Sequence, residues 1–298
     1  MKRVPSISIL LLVMLIAGCD IYEQDDYQEL VVLEAYAVAN RPLPNVRLSR
    51  TMPLTEEYSF QNAAISDGVV RVTRLDGNGA DQEIYFYERA SAGVYRAIDR
   101  DYLVEPGASY RIDIEFENRP EILTSVTTIP LQFEILSEVA ESYVYQSDDQ
   151  LEIRLSATAS SARQNVYVFN TLTQEPSIDN LTPFYRNSVV EGDSEVSDFL
   201  SNASGLINEG NFEIGEDNTI LLRFPWIGVA FFGENLVVTN SVDQNLADLV
   251  RSEELQLGGS TLPPGEIPNL IYNVEGGIGV FGSLSSDTVT TRFLRPEF

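Results

Sequence analysis

"GVVRVTRLDGNGADQEIYFYER", residues 68–89, decides the fold. In 68–75, Val70 and Val72 alternate with Arg71 and Thr73, a period of two that gives a strand one apolar and one polar face. "DGNGAD" (76–81) follows, and then a second such run, "QEIYFYER" (82–89). Two alternating runs around a Gly/Asn/Asp-rich turn make a β-hairpin. The turn is also tested as a calcium loop, since Asp76 and Asn78 occupy alternate positions. Ala80 breaks that series and no glutamate closes it at the twelfth place, so the hairpin turn is the reading adopted.

The same pattern extends both ways from this hairpin. "ELVVLEAYAV" (29–38), "NVRLSRT" (45–51), "GVYRAI" (93–98), "SYRIDIEF" (109–116) and "ILTSVTTI" (122–129) are strand runs separated by turn residues. They predict an all-β fold that opens with an Ig-like or transthyretin-like sandwich over 29–129. Pro130 marks the boundary to a second antiparallel β domain, 130–298. Its strand runs are "LQFEIL", "DQLEIRLSATA" (149–159), "NVYVFNTL" (165–172), "NTILLRFPWIGVAFF" (218–232), "NLVVTNSV" (235–242), "IGVFGSL" and "DTVTTRFL". Residues 175–217 form a long polar stretch expected as a loop, either functional or mobile. One short helix is expected over about 242–255, capped by Ser241, with Val242, Leu246, Leu249 and Val250 on its packing face. Glu253 and Glu254 oppose its C-terminal dipole.

The first residues carry a different message. Lys2 and Arg3 precede an apolar run, Ile7 to Ile16, too short to span a bilayer. Ala17, Gly18 and then Cys19 follow, the layout of a secretory signal peptide over 1–18. The order Leu15-Ile16-Ala17-Gly18-Cys19 resembles a bacterial lipobox. Cys19 is the expected lipidation site: its thiol takes a diacylglycerol group, and the small flanking residues admit the peptidase. Two or three acyl chains, at about 0.8 kcal/mol per buried methylene, anchor a protein firmly. Cys19 is the only cysteine, so the mature chain forms no internal disulfide. The acids after the cysteine are Asp20, Glu23, Asp25, Asp26 and Glu29; they read as a solvated acidic tether, placed at 19–28, or as a sorting tag, since such acids resemble a Bacteroidota signal for surface display. An enterobacterial rule would instead read Asp20 as inner-membrane retention.

Charge narrows the function classes. The chain has 45 acidic and 19 basic side chains, a net −26, and Lys2 is its single lysine. Such a surface repels phosphate backbones, so no nucleic-acid partner is expected. It fits a high-salt habitat, where screening shortens repulsion to a few Å, or a genome-wide preference for arginine. No histidine occurs, which removes serine–histidine and cysteine–histidine hydrolase designs, most zinc sites and the usual proton shuttle near neutral pH. No metal, cofactor or catalytic residue is assigned, and the chain is expected not to be an enzyme. A surface glycan- or peptide-acting hydrolase using carboxylates is the alternative, and a purely structural envelope protein is another.

"ELVVLEAYAVANRPLPNVRLSRTMPL", "SDGVVRVTRLDGNG", "SAGVYRA" and "VEPGASYRIDI" resemble the opening of an uncharacterised Bacteroidota lipoprotein family with domain of unknown function 4249. The closing "IYNVEGGIGVFGSLSSDT" resembles that family's C-terminal signature. The resemblance implies an outer-membrane lipoprotein, lipid-anchored and surface-exposed, that serves as an accessory binding component beside a TonB-dependent receptor in nutrient uptake. It implies no catalytic residues. Physically, Gly276, Gly277, Gly279 and Gly282 in the signature suit a kinked core strand with close backbone approach, or a bare backbone that receives a partner.

Candidate contact residues for a small-molecule, peptide or glycan ligand, or for a protein partner, are aromatic. "FPWIGVAFFGEN" holds Trp226, the only tryptophan, with Phe231 and Phe232. On a strand the two phenylalanines would face opposite sides, putting one outward. "TPFYRN" adds Phe184 and Tyr185.

Overall fold

The computed structural model describes residues 27–53, 55–156, 165–208, 210, 213–215, 217, 219–257 and 270–296. Cys19, the leader and the tether up to residue 26 lie outside the described residues.

The first seven strands fall on the expected runs: β1 (Val31–Val38), β2 (Val46–Arg50), β3 (Gly68–Leu75), β4 (Asp81–Ser91), β5 (Val94–Ala97), β6 (Ser109–Phe116) and β7 (Ile122–Thr128). The β3–β4 turn is closed by Asp76, whose carboxylate accepts from the backbone N–H of Asn78 and of Ala80, both at 2.8 Å. β4 joins two layers. Its first half pairs with β3 and its second half with β5, so β1, β2 and β5 face β3, β6 and β7 across a core. Leu33, Leu48, Val72, Ile112, Ile114 and Leu123 fill that core. Period-two alternation places them there, because every second side chain of a strand points to the same side.

The second half is built from β8 (Ser142–Val144), β9 (Glu152–Leu155), β10 (Val166–Thr173), β11 (Ser201–Ala203), β12 (Ile207–Asn208), β13 (Glu213–Ile214), β14 (Ile220–Arg223), β15 (Gly233–Val242) and β16 (Ile278–Leu294). β13, β14 and β9 form a small sheet. It covers the sheet of β10, β15 and the end of β16, over a core holding Phe133, Tyr167, Phe169, Phe224, Phe232 and Phe293.

β16 unites the halves. "IGVFGSL" and "DTVTTRFL" are one 17-residue strand, not two. Its first residues pair in parallel with β1, Leu33 opposite Gly279, and its later ones antiparallel with β15. β8 joins its end, also in parallel. The fold is therefore mostly β, with one large mixed sheet of 13 strands among the described residues, where purely antiparallel pairing was expected. The parallel β1–β16 contact needs close backbones. A Cβ on Gly279, whose φ is +109°, would stand 2.0 Å from the Leu33 carbonyl oxygen. A Cβ on Gly282 would meet Leu246 at 2.4 Å, where the helix sits on the strand. The signature glycines at these positions serve close packing inside the sheet.

The helices are α1 (Phe60–Ala63), α2 (Pro183–Glu191) and α3 (Gln244–Leu257). The expectation of a single helix is thus corrected. The stretch 175–217, expected as a loop, contains α2 and 3-10 turns at Ile178–Asn180 and Val196–Phe199. Helix signals were present: Pro183 occupies the first turn, and Gly192 ends the helix with φ +84°. The cap of α3 is Asp243 rather than Ser241: its carboxylate accepts from the Leu246 N–H at 3.0 Å, while Ser241 is a buried residue of β15.

Candidate functional site

β4 carries Tyr85, Tyr87 and Arg89 at alternate positions of one face. Tyr85 is buried in the first core, Tyr87 packs partly buried against it, and Arg89 stands exposed at the rim. At this end of the layers a cavity of about 610 Å³ opens. Arg50, Arg89, Arg119, Asp67, Glu117, Tyr87 and Tyr95 line it, drawn from β2, β4, β5 and the segments before β3 and after β6.

Two tyrosines in its wall differ in one respect. The Tyr95 hydroxyl accepts from the Gly68 N–H at 2.9 Å and donates to the Ile65 carbonyl at 3.0 Å. The Tyr87 hydroxyl is enclosed and has no hydrogen-bond partner among the described residues. Burial pushes both phenols above their ordinary pKa, so both are neutral donors at physiological pH.

The charges of the cavity divide as sharply. Glu29 takes both Arg119, at 2.8 Å, and Arg50, at 3.4 Å. Arg89 donates from Nη1 to the Ser66 carbonyl at 2.9 Å. Among the described residues Arg89 forms no ion pair with a carboxylate, and Asp67 and Glu117 form none with a guanidinium; the Asp67 carboxylate accepts a long 3.4 Å bond from Asn118, and its backbone carbonyl accepts from the Glu117 N–H at 3.1 Å. Of these residues the sequence singled out Glu29 alone, as one of the acids after Cys19, and the structure places it between two arginines. Arginine is the signal that could have found the site, because this chain has so little other positive charge.

The aromatic candidates occupy a different place. Trp226 sits in a 3-10 turn, partly buried against the second core, edge-on to Tyr145 and Phe293. Phe231 and Phe232 do face opposite ways, yet both are buried, at 1% and 5% exposure. Phe232 enters the second core. Phe231 enters a third cluster with Leu181 and Tyr185, which α2 and its neighbouring turns place over that side. The expected outward phenylalanine is absent because the 175–208 stretch covers the second face. Tyr185 is buried, its hydroxyl donating to the Ile227 carbonyl at 2.6 Å and accepting from Asn202. Phe184 is the exposed member, at 62%.

A buried polar knot lies where α3, β7 and β16 meet. Thr127 Oγ1 lies 2.6 Å from both Asp243 Oδ2 and Ser283 Oγ, and Ser283 donates to the Thr128 carbonyl at 3.1 Å. Burial outweighs these hydrogen bonds and holds the Asp243 carboxyl above its ordinary pKa.

Among known proteins, the family described as Domain of unknown function (DUF4249) matches residues 19–290. No curated protein matches the sequence. Among solved structures, a tetra-tandem repeat from the extending region of a large adhesion protein is 13% identical with a TM-score of 0.24, covering 89% of this chain and 49% of that one. This chain thus spans about half the length of that structure. Three N-terminal domains of the highly immunogenic outer capsid protein of bacteriophage RB49 are 11% identical with a TM-score of 0.23, covering 90% and 71%. Escherichia coli alpha-2-macroglobulin activated by porcine elastase is 10% identical with a TM-score of 0.24, covering 91% and 24%. Overlaps this slight carry neither fold nor function across.

Proposed function

This chain belongs to the DUF4249 family, and on that premise we propose that it is a non-catalytic outer-membrane lipoprotein, an accessory binding component of a TonB-dependent nutrient uptake system. The observation that carries the reading is the order Leu15-Ile16-Ala17-Gly18-Cys19, with the family match beginning on that cysteine. In this reading the body is an Ig-like sandwich, 29–129, followed by a second β domain, 130–298, and Cys19 holds both to the membrane through its acyl chains.

The position of the cavity supports a binding role. Glu29, which ties Arg50 and Arg119 together at its wall, stands ten residues after Cys19. Ten residues of extended chain reach at most about 35 Å. With Cys19 acylated, Glu29 lies within that reach of the anchor.

Two measurements test the reading. Mass spectrometry of the native N-terminus is expected to find a diacylglyceryl-modified Cys19 as the first residue; a chain that begins elsewhere, or a free thiol, overturns the anchor. Tagged protein drawn from envelope membranes in mild detergent is expected to bring an outer-membrane barrel with it, and recovery alone overturns the receptor role.

A further inference from the structure

We propose that the outer face of the β4–β3–β6–β7 sheet pairs with the same face of a second copy of this chain, so that Ile84 of each copy packs on Val126 of the other and Arg71 of each meets Asp113 of the other. This pairing goes beyond the receptor role proposed above and does not depend on it.

An antiparallel sheet with water on one side normally turns polar side chains outward. This one does not. Val69, Ile84, Phe86, Ile122 and Val126 share its outer face and are each 45–60% exposed. They frame a strip of charge that is already paired within the chain. Arg71 pairs with Glu115. Arg111 holds Asp81 at 2.7 Å and Asp113 at 2.8 Å, and Thr124 donates to Asp113 at 3.0 Å. The face is thus nearly neutral on a chain of net −26, and two copies meet there with little repulsion.

The register makes the face complementary to itself. One row across the four strands reads Ile84, Thr73, Arg111, Val126, and the next reads Phe86, Arg71, Asp113, Thr124. A two-fold axis along the strands lays β4 of one copy over β7 of the other and β3 over β6, and it keeps each row at its own level. Ile84 then faces Val126 twice, and Arg71 faces Asp113 twice. Phe86 faces Thr124, between Ile122 and Val126. Sheets stacked face to face lie about 10 Å apart, a gap that these side chains fill from both sides. A contact of this isologous kind closes at two copies. The same axis leaves both N-terminal ends at one end of the pair, as two chains anchored in one membrane require. A lipid surface would cover the apolar chains but offers nothing to the charged strip it would bury.

The test is disulfide trapping in envelope membranes. In an Ile84→Cys/Val126→Cys double variant the two positions of one chain lie three strand steps apart, roughly 14 Å at the spacing of paired strands, too far for a bond within the chain. Under mild oxidation most of the double variant is expected as a covalent dimer, at least tenfold more than from either single variant, whose new thiol faces no thiol. A double variant that stays monomeric, gives no more dimer than the single variants, or is trapped on a different protein overturns the pairing. A second measurement needs no cysteine. Sedimentation of the full mature lipoprotein in detergent micelles is expected to give twice the chain mass. Ile84→Asp, at an exposed position, is expected to raise the dissociation constant at least tenfold with unchanged circular dichroism. A wild type that sediments as one chain, or a variant that pairs equally well, overturns the proposal. A single chain that still brings a barrel with it leaves the receptor role intact.

Discussion

The two large cores of this protein are packed from different side chains. The first is mainly aliphatic, with Leu33, Leu48, Val72, Ile112 and Ile114 alternating along its strands. The second is aromatic, with Phe133, Tyr143, Tyr145, Tyr167, Phe169, Phe224, Phe232 and Phe293. β9 and β14, which cover the second core, have four residues each and supply few inward positions, and large rings fill the space between the layers. In this molecule the conspicuous aromatics therefore mark filling. The cavity lined by Tyr95, Arg89, Asp67 and Glu117 opens instead at the end of the plainer core.

Substitutions can break that contrast. Gly279→Val should have the largest effect, because it places a side chain on the Leu33 carbonyl at a positive φ. A loss of about 5 kcal/mol, enough to unfold many domains, is expected in denaturant titration. A variant that folds normally would show that the β1–β16 contact is not what joins the halves. Phe232→Ala should cost about 4 kcal/mol, the usual price of deleting a buried ring. A mild effect would mean that Phe232 is not part of the filling.

Within the cavity, Tyr95→Phe should cost about 2 kcal/mol, since it strips partners from the Gly68 N–H and the Ile65 carbonyl. Tyr87→Phe should leave thermal stability unchanged or raised, having no partner to lose. Equal losses at both positions would refute the division between a bonded and an unbonded tyrosine.

Asp243 gives a smaller, pH-dependent effect. Its pKa is raised in the folded state, so the native protein holds that proton more tightly than the unfolded chain. Its contribution is most favourable below the unfolded value, about 3.9, and is lost as pH rises through the higher native value. Asp243→Asn should remove this loss. Asn can still cap α3 through its carbonyl and donate to Thr127, which then donates to Ser283. Urea midpoints of variant and wild type, compared from acid to neutral pH, should show the variant gaining as pH rises; a constant difference would refute the burial cost. Phe184→Ala, at an exposed position, should change stability by less than about 0.5 kcal/mol.

Legibility followed the range of the signal. β3 and β6 lie on the very residues that alternation marked, 68–75 and 109–116, because a strand with one buried face writes its burial into neighbouring residues. The DUF4249 family was likewise legible, through the opening runs and the glycine-rich ending. The 175–217 stretch was misread because its polar composition outweighed Pro183 and Gly192, the two residues that mark the ends of α2. The cavity was not legible at all. Arg50, Tyr87 and Arg119 have no local pattern in common, and only folding brings them together.

From the sequence alone came the β character, the strand positions of the first half, the acid excess and the resemblance of residues 15–19 to a lipobox, all properties of composition or of near neighbours. The tertiary structure decided which strands meet: that Leu33 pairs with Gly279, that Phe231 and Phe232 are both covered, and that Glu29 holds two arginines at the rim of a cavity. Those contacts join residues far apart in the chain, and their geometry depends on how whole layers pack, which no short stretch of residues encodes.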